Sequence, residues 1–169
     1  MKNAIRLILI FILFLVIGCN TEEKKVEYGD NNGKYLTLLD TKIYYEEYGQ
    51  GTPLILLEGG MGSIYDFAKC IPELSKHYRI IAPDTPGQGR SEMADSMSYE
   101  LMAEYISKFI DLLKLDSAYV MGWSDGGNTA LILGNKRPEK IKGIVASEPI
   151  ICLKGTLPYK MIRRIGRPS

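Results

Sequence analysis

Ser124 sits in Gly122-Trp123-Ser124-Asp125-Gly126, a Gly-x-Ser-x-Gly pentad in which every position has a physical task. A serine on a sharp turn between a strand and a helix projects its hydroxyl away from the sheet. Glycines on either side let neighbouring backbone approach with no Cβ in the way. A helix that begins there turns the positive end of its dipole toward negative charge growing on a substrate oxygen. The chemistry served is attack of an activated hydroxyl on a carbonyl, through an acyl-enzyme. The flanks give the context this requires: residues 118–122 read as a short strand, and 126–136 as a helix closed by Arg137-Pro138. Outside such a context the same pentad is only a glycine-rich turn.

A serine hydroxyl is a weak nucleophile until a base takes its proton. The sequence holds one histidine, His77, at the start of an apolar run, 78–82, that reads as a buried strand. A strand of that length separates its two ends by roughly 17 Å, against about 3 Å for hydrogen-bond contact. His77 is therefore expected to be a polar residue at a strand entrance. Lys114 and Lys136 end helices and read as solvated and protonated. Asp125, beside the serine, has two readings. It faces a pocket and pairs with a cationic substrate group, or it is held in local hydrogen bonds at the turn.

Two further segments carry pattern. Leu54-Ile55-Leu56-Leu57-Glu58-Gly59-Gly60-Met61-Gly62 is an apolar strand running into a glycine-rich loop, and Asp84-Thr85-Pro86-Gly87-Gln88-Gly89-Arg90-Ser91 is a loop of fixed turn geometry. A nucleotide-binding reading of these loops fails on spacing: Gly60-Met61-Gly62 lacks the third glycine of G-x-G-x-x-G, and no G-x-x-x-x-G-K-[ST] occurs.

In this order the three segments resemble the strand and oxyanion loop, the D-x-P-G-x-G-x-S turn and the nucleophile elbow of the α/β-hydrolase superfamily. Gly-Trp-Ser-Asp-Gly-Gly is close to the elbow of bacterial carbon–carbon bond and ester hydrolases. The resemblance implies an α/β fold with a mostly parallel sheet and helices on both faces. It implies Ser124 as nucleophile, with an oxyanion hole from backbone N–H groups of Gly60 or Met61 and of Asp125. The family usually has histidine where this sequence has Glu58. The order Ser, then acid, then His implies that acid and base follow later strands. Glu148, after the strand at 141–146, is a candidate acid, and before Pro149 it reads equally as a loop-fixing glutamate. The expectation is a truncated, inactive amino-terminal part of a serine hydrolase of small-molecule esters, amides or carbon–carbon bonds. The alternative is a lipid-anchored binding protein without catalysis, or a non-functional fragment.

The remaining elements follow from periodicity. Residues 35–39 and 43–48 read as a hairpin turning at Asp40-Thr41. Residues 63–76 read as one helix with Ile64, Phe67, Ile71 and Leu74 on a face, Ser63 and Asp66 capping it and Pro72 weakening it. Residues 99–115 read as the best helix, capped by Ser98, with a stripe of Leu101, Tyr105, Phe109 and Leu112 and a Glu104–Lys108 pair.

At the amino end, Lys2 and Arg6 precede an apolar run, 7–17, shorter than the roughly 20 residues of a spanning helix. It reads as a signal-peptide core. Val16-Ile17-Gly18-Cys19 resembles the lipobox of bacterial lipoproteins, which implies cleavage before Cys19, its lipidation, and anchoring on the non-cytoplasmic face of a cell-envelope membrane. The expected domains are signal peptide 1–18, polar tether 19–32, hydrolase segment 33–150, and a basic tail 151–169 that begins a cap or core segment. The lack of later strands is expected to expose apolar sheet and favour aggregation. Cys70 and Cys152 read as small buried hydrophobes, and no spacing suggests a metal site or a cofactor. A formal net charge of +1 gives no footprint for nucleic acid, so the expected partners are a small-molecule substrate and the membrane reached through Cys19.

Overall fold

The first two strands are joined by the shortest connection a hairpin allows. In the computed structural model, which describes Gly29, residues 33–147 and residues 161–163, β1 (Lys34–Leu38) and β2 (Thr41–Tyr48) pair antiparallel with Leu38 opposite Thr41. Leu39 (φ 47°) and Asp40 (φ 67°) form the turn. The turn thus lies one residue before the expected Asp40-Thr41. A two-residue hairpin turn of this kind needs positive φ at both positions, which a β-branched threonine resists. Thr41 instead opens β2, and its Oγ1 lies 2.8 Å from the buried Tyr105 hydroxyl.

The sheet has seven strands in the order β1-β2-β4-β3-β5-β6-β7. Its centre is parallel: β4 (Tyr78–Pro83), β3 (Thr52–Leu57), β5 (Ala118–Trp123) and β6 (Ile141–Ser147). Antiparallel β1 and β2 flank it on one side and β7 (Met161–Arg163) on the other. Side chains alternate between the two faces of a strand. Ile55, Leu57 and Ile81 enter one apolar cluster, while Leu54, Leu56, Ile80 and Ala82 enter the other. Both faces of β3 and β4 are buried, which is why these strands read as unbroken apolar runs.

Helices cover both faces. α2 (Tyr99–Leu112) and α3 (Asp125–Lys136) pack on one, and a 3-10 turn (Ile64–Phe67) with α1 (Ile71–Leu74) packs on the other. The single helix expected over 63–76 is therefore two short pieces. Ser63 and Asp66 make the expected reciprocal cap. Pro72 does not kink a continuous helix; it sits in the first turn of α1, where its missing N–H has no intrahelical partner to lose. Ile64, Phe67 and Ile71 are buried as expected, whereas Cys70 is exposed rather than buried.

α2 ends at Leu112, three residues before the expected end. Lys114 adopts φ 53°, with Lys114 N–H donating to Asp111 and Leu115 N–H to Ile110, a Schellman closure that stops the helix. Its buried face comprises Met102, Ala103, Tyr105, Ile106, Phe109 and Ile110, while Leu112 is exposed. The expected narrow stripe is replaced by a wider, rotated one, because α2 packs against α3 as well as the sheet.

Because the four central strands run the same way, their carboxyl ends at Leu57, Pro83, Trp123 and Ser147 share one edge. That edge carries the site.

Candidate active site

Ser124 links β5 to α3 at φ 49° and ψ −114°, a conformation rare for any residue with a Cβ. Three contacts hold it there. Its N–H donates to Ser147 O at 2.8 Å, its carbonyl accepts the first helical bond from Asn128 N–H at 3.1 Å, and β6 flanks it with Ser147 opposite Trp123. The two glycines of the pentad are forced by crowding. A Cβ on Gly122 would lie 2.2 Å from the Gly126 carbonyl oxygen, and one on Gly126 would lie 2.1 Å from that of Leu57. Both distances are far inside contact, so the elbow exists only with glycine at these positions.

The loop after β3 closes against this elbow. Gly62 N–H donates to Gly59 O at 3.0 Å, with Met61 at φ 59° and its side chain almost wholly exposed. A Cβ on Gly59 would meet the Trp123 ring at 3.1 Å and the Ser124 Cβ at 3.4 Å, and one on Gly60 would meet the Asp125 carboxylate at 2.5 Å. The structure thus brings together Ser124, Gly60 and Asp125, with Met61 at the outer tip of the loop. α3 points its amino end into the same place, where the positive pole of the helix favours negative charge.

Glu58 directly follows β3 and is buried. It is 2% exposed, and its Oε1 accepts from Thr85 N–H at 2.6 Å and from the Thr85 hydroxyl at 2.7 Å. Its Oε2 has no hydrogen-bond partner among the described residues. Burial raises its pKa to about 7; the Thr85 hydrogen bonds oppose the rise and the charge of Asp84 adds to it. In the sequence Glu58 stands out only as a departure from the family's usual histidine, and its burial against Thr85 is not legible there. The available signal was an acid inside a strand-to-loop junction whose preceding four residues are all apolar.

The loop 84–91 is a structural clamp. Asp84, also buried, accepts from Ile64 N–H and Arg90 N–H, each at 2.8 Å, tying the 3-10 turn to its own loop. Burial raises its pKa above the usual carboxylate range. Gly89 turns at φ 48° and leaves the space the Asp84 carboxylate fills. The Ser91 hydroxyl donates to Asp84 O at 2.6 Å while accepting from Tyr44 N–H at 2.8 Å.

A cavity of about 310 Å³ opens beside the elbow, lined among others by Glu58, Thr85, Tyr99, Asp125 and Gly126. Ser124 is not among its lining residues. Asp125 is held locally, its Oδ1 accepting from the Tyr99 hydroxyl at 2.7 Å, and the residue is among those lining the cavity. His77 is exposed in the turn before β4, at the strand end opposite the site. Lys114 and Lys136 are exposed. Glu148, Cys19 and Cys152 lie outside the described residues. Among the described residues no His, Cys, Asp or Glu cluster has the grouping of a metal site, and no helix is long and apolar enough to cross a membrane.

Comparison with known proteins agrees with this geometry. A family model described as alpha/beta hydrolase fold matches residues 52–163. Haloalkane dehalogenase 2 of Mycobacterium tuberculosis is 29% identical over 126 residues, covering 73% of this chain and 44% of that protein. Pimeloyl-(acyl-carrier protein) methyl ester esterase of Citrobacter koseri is 34% identical over 119 residues, covering 69% of this chain and 45% of that protein. Among solved structures, an epoxide hydrolase from Vigna radiata superposes with a TM-score of 0.65 at 27% identity, covering 68% of this chain and 39% of that one. The chain spans less than half the length of these relatives.

Proposed function

The chain belongs to the α/β-hydrolase family, and from that premise we propose that Ser124 is the nucleophile of a hydrolase acting on ester, amide or carbon–carbon bonds of small molecules. The observation that carries the reading is the backbone of Ser124, held at φ 49° between a parallel strand and a helix amino terminus, with the Gly59-Gly60 loop packed against it. Strain of this kind costs on the order of 1–3 kcal/mol and persists only where surrounding contacts enforce it. Here the Gly122 and Gly126 contacts do so. In this scheme the Ser124 hydroxyl adds to the substrate carbonyl, and N–H groups of Gly60 or Met61 and of Asp125 stabilise the oxyanion. The tetrahedral intermediate then collapses: the bond to the leaving group breaks, that group takes up the proton given up by the Ser124 hydroxyl, and the acyl-enzyme left behind is hydrolysed by water. Glu148 is the candidate acid.

Acylation by this chain alone is slow in the same proposal, because its one histidine stands at the far end of β4. A fluorophosphonate probe tests both parts. Slow labelling of the parent chain that vanishes in Ser124→Ala supports the reading. Labelling that survives the substitution removes Ser124 as nucleophile. Rapid labelling that depends on Ser124 reveals a base that acts on it, supplied by this chain or by another.

The lipobox-like Val16-Ile17-Gly18-Cys19 supports a proposal of location: the mature protein begins at Cys19 and is lipid-anchored on the non-cytoplasmic face of a bacterial envelope membrane. Radiolabelled palmitate should enter the parent chain and not Cys19→Ala; equal labelling of both removes the proposal.

A further inference from the structure

We propose that the loop edge carrying the elbow is a membrane-facing surface, seated by its apolar side chains in the interface of a zwitterionic lipid bilayer. Ten large apolar side chains are exposed among the described residues. Five of them, Met61, Tyr65, Met93, Met97 and Trp123, stand at the carboxyl ends of β3, β4 and β5 or in the segments that leave those ends. Scattered exposed apolar residues are ordinary, whereas a concentration on one edge marks a contact surface. They form two groups. A Cβ on Gly59 would lie 3.1 Å from the Trp123 ring, in the loop whose tip is Met61, and a Cβ on Gly87 would lie 2.7 Å from Met93 and 3.6 Å from Met97. Gly59 and Met97 both line the cavity, so the groups meet there.

The occupant follows from where the amino-terminal chain enters the domain. Gly29 N–H donates to Glu46 Oε2 at 2.9 Å, and a Cβ on Gly29 would lie 2.7 Å from Tyr65 N, so the chain from Cys19 arrives against Tyr65. Cys19 to Gly29 is ten residues, at most about 36 Å fully extended. A domain of this size is about 35 Å across, so turning the edge away from an anchored Cys19 would use nearly that whole length stretched around the domain. An anchored chain therefore brings this edge to the lipid first. The approach rests on the lipid-anchor reading of Cys19; the affinity of the edge itself does not. Its chemistry suits an interface. Tyrosine offers an apolar ring with a polar tip, and methionine an adaptable apolar chain. Loop backbone near lipid must satisfy its own hydrogen bonds. Here Gly62 N–H donates to Gly59 O at 3.0 Å, and Gln88 N–H to Thr85 O and Ser91 N–H to Gln88 O at 2.9 Å each. The exposed charges on 59–66 and 84–98 are Asp66, Glu92 and Asp95 against Arg90 alone, so attraction to anionic headgroups is not the driving force.

The full chain, lipidated or carrying Cys19→Ala, is mixed with vesicles of phosphatidylcholine brominated along the acyl chains, whose bromine quenches tryptophan on contact. Met61→Trp places a reporter at the loop tip. Leu112→Trp places one at the opposite edge, where Arg137 and Lys140, just before β6, both reach the neighbouring Asp111. Trp123 is the natural chain's one tryptophan and is common to both, so the difference belongs to the added residue. The Met61→Trp emission should be quenched about twofold more than the Leu112→Trp emission, or better. Adding Tyr65→Asp with Met93→Asp to the Met61→Trp chain should bring its quenching down to the Leu112→Trp level; if that chain does not fold, Tyr65→Ser with Met93→Ser takes its place and should lower quenching in the same direction. Equal quenching of the two reporters overturns the proposal, as does quenching that appears only once phosphatidylglycerol is mixed in. A tip tryptophan already shielded from iodide by self-association before vesicles are added assigns the edge to a second copy and overturns it too. Co-sedimentation separates this from the anchor reading. A lipidated chain that pellets with vesicles but shows equal quenching keeps the anchor and loses the seating. Tip quenching that persists in Cys19→Ala keeps the seating without the anchor.

Discussion

At the scale of single residues, the cost of burying Glu58 shows in how stability varies with pH. Its pKa rises from the ordinary 4.5 to about 7 on folding, so the folded chain holds a proton that the unfolded chain has released across that interval. The sign follows: the contribution is fully present below pH 4.5 and is lost as pH climbs through 7, because the carboxylate then ionises without a partner for Oε2. The full span is on the order of 3 kcal/mol. Asp84, also raised by burial, acts in the same direction. Chemical denaturation at pH 5 and pH 8 should therefore find the parent chain less stable at the higher pH. Glu58→Gln should narrow that difference by more than half and be the more stable protein at pH 8. A difference unchanged by the substitution would mean that Glu58 ionises freely.

At the scale of elements, two turns that look alike in sequence do different work. The elbow stores strain, and the 84–91 loop uses one buried carboxylate to tie two segments together, the 3-10 turn and the loop itself. Asp84→Ala should leave Ile64 N–H and Arg90 N–H unsatisfied and cost about 3 kcal/mol or more, read as a lower denaturant midpoint. Gly89→Ala should cost a similar amount, since its Cβ would sit 2.1 Å from the Asp84 oxygen at a φ that alanine avoids. Loss at the α2 cap is smaller. Ser98 accepts from Leu101 N–H at 3.1 Å on an exposed helix start, and Ser98→Ala should cost about 1 kcal/mol by the same measurement. If Ser98→Ala proved as damaging as Asp84→Ala, the clamp role assigned to the 84–91 loop would fall.

At the scale of the molecule, the two sheet faces are unequal beyond β3. On the α2 and α3 face, Val120, Ile144 and Ala146 are buried in the core. On the other face, Tyr119 is 39% exposed and Val145 37% exposed, and they border an apolar hollow of about 300 Å³ shared with Leu54, Leu74 and Met121. Contiguous exposed apolar surface on a sheet promotes self-association. The chain should elute as dimers or larger species at micromolar concentration, and Tyr119→Lys with Val145→Lys should shift it toward monomer in sedimentation velocity. A monomer in the parent chain would show that this face is covered in solution.

What the sequence determined alone is whatever local geometry demands. Gly122 and Gly126 are compelled by backbone contact within a strand–turn–helix unit, and the clustered glycines of the 59–62 and 84–91 loops mark turns whatever surrounds them. The unbroken apolar runs at 54–57 and 80–82 announced strands buried on both faces, because burial on two sides removes the alternation that a half-exposed strand shows. The position of His77 was legible too, since a strand's length separates its ends. What tertiary structure alone decided is where one element meets another. Pro72 begins a new turn instead of bending an old one because Phe67 and Ile71 must both reach the same sheet face. The buried face of α2 is wider than its expected stripe because α3 lies beside it. Cys70 lies outside the core, at the junction of two short helical pieces that periodicity read as one helix. Glu58 stood in the sequence as an oddity at the end of an apolar run. Only when β3 and β4 align does Thr85 meet one of its oxygens, leaving the other unpaired in a carboxylate that lines the cavity beside the elbow.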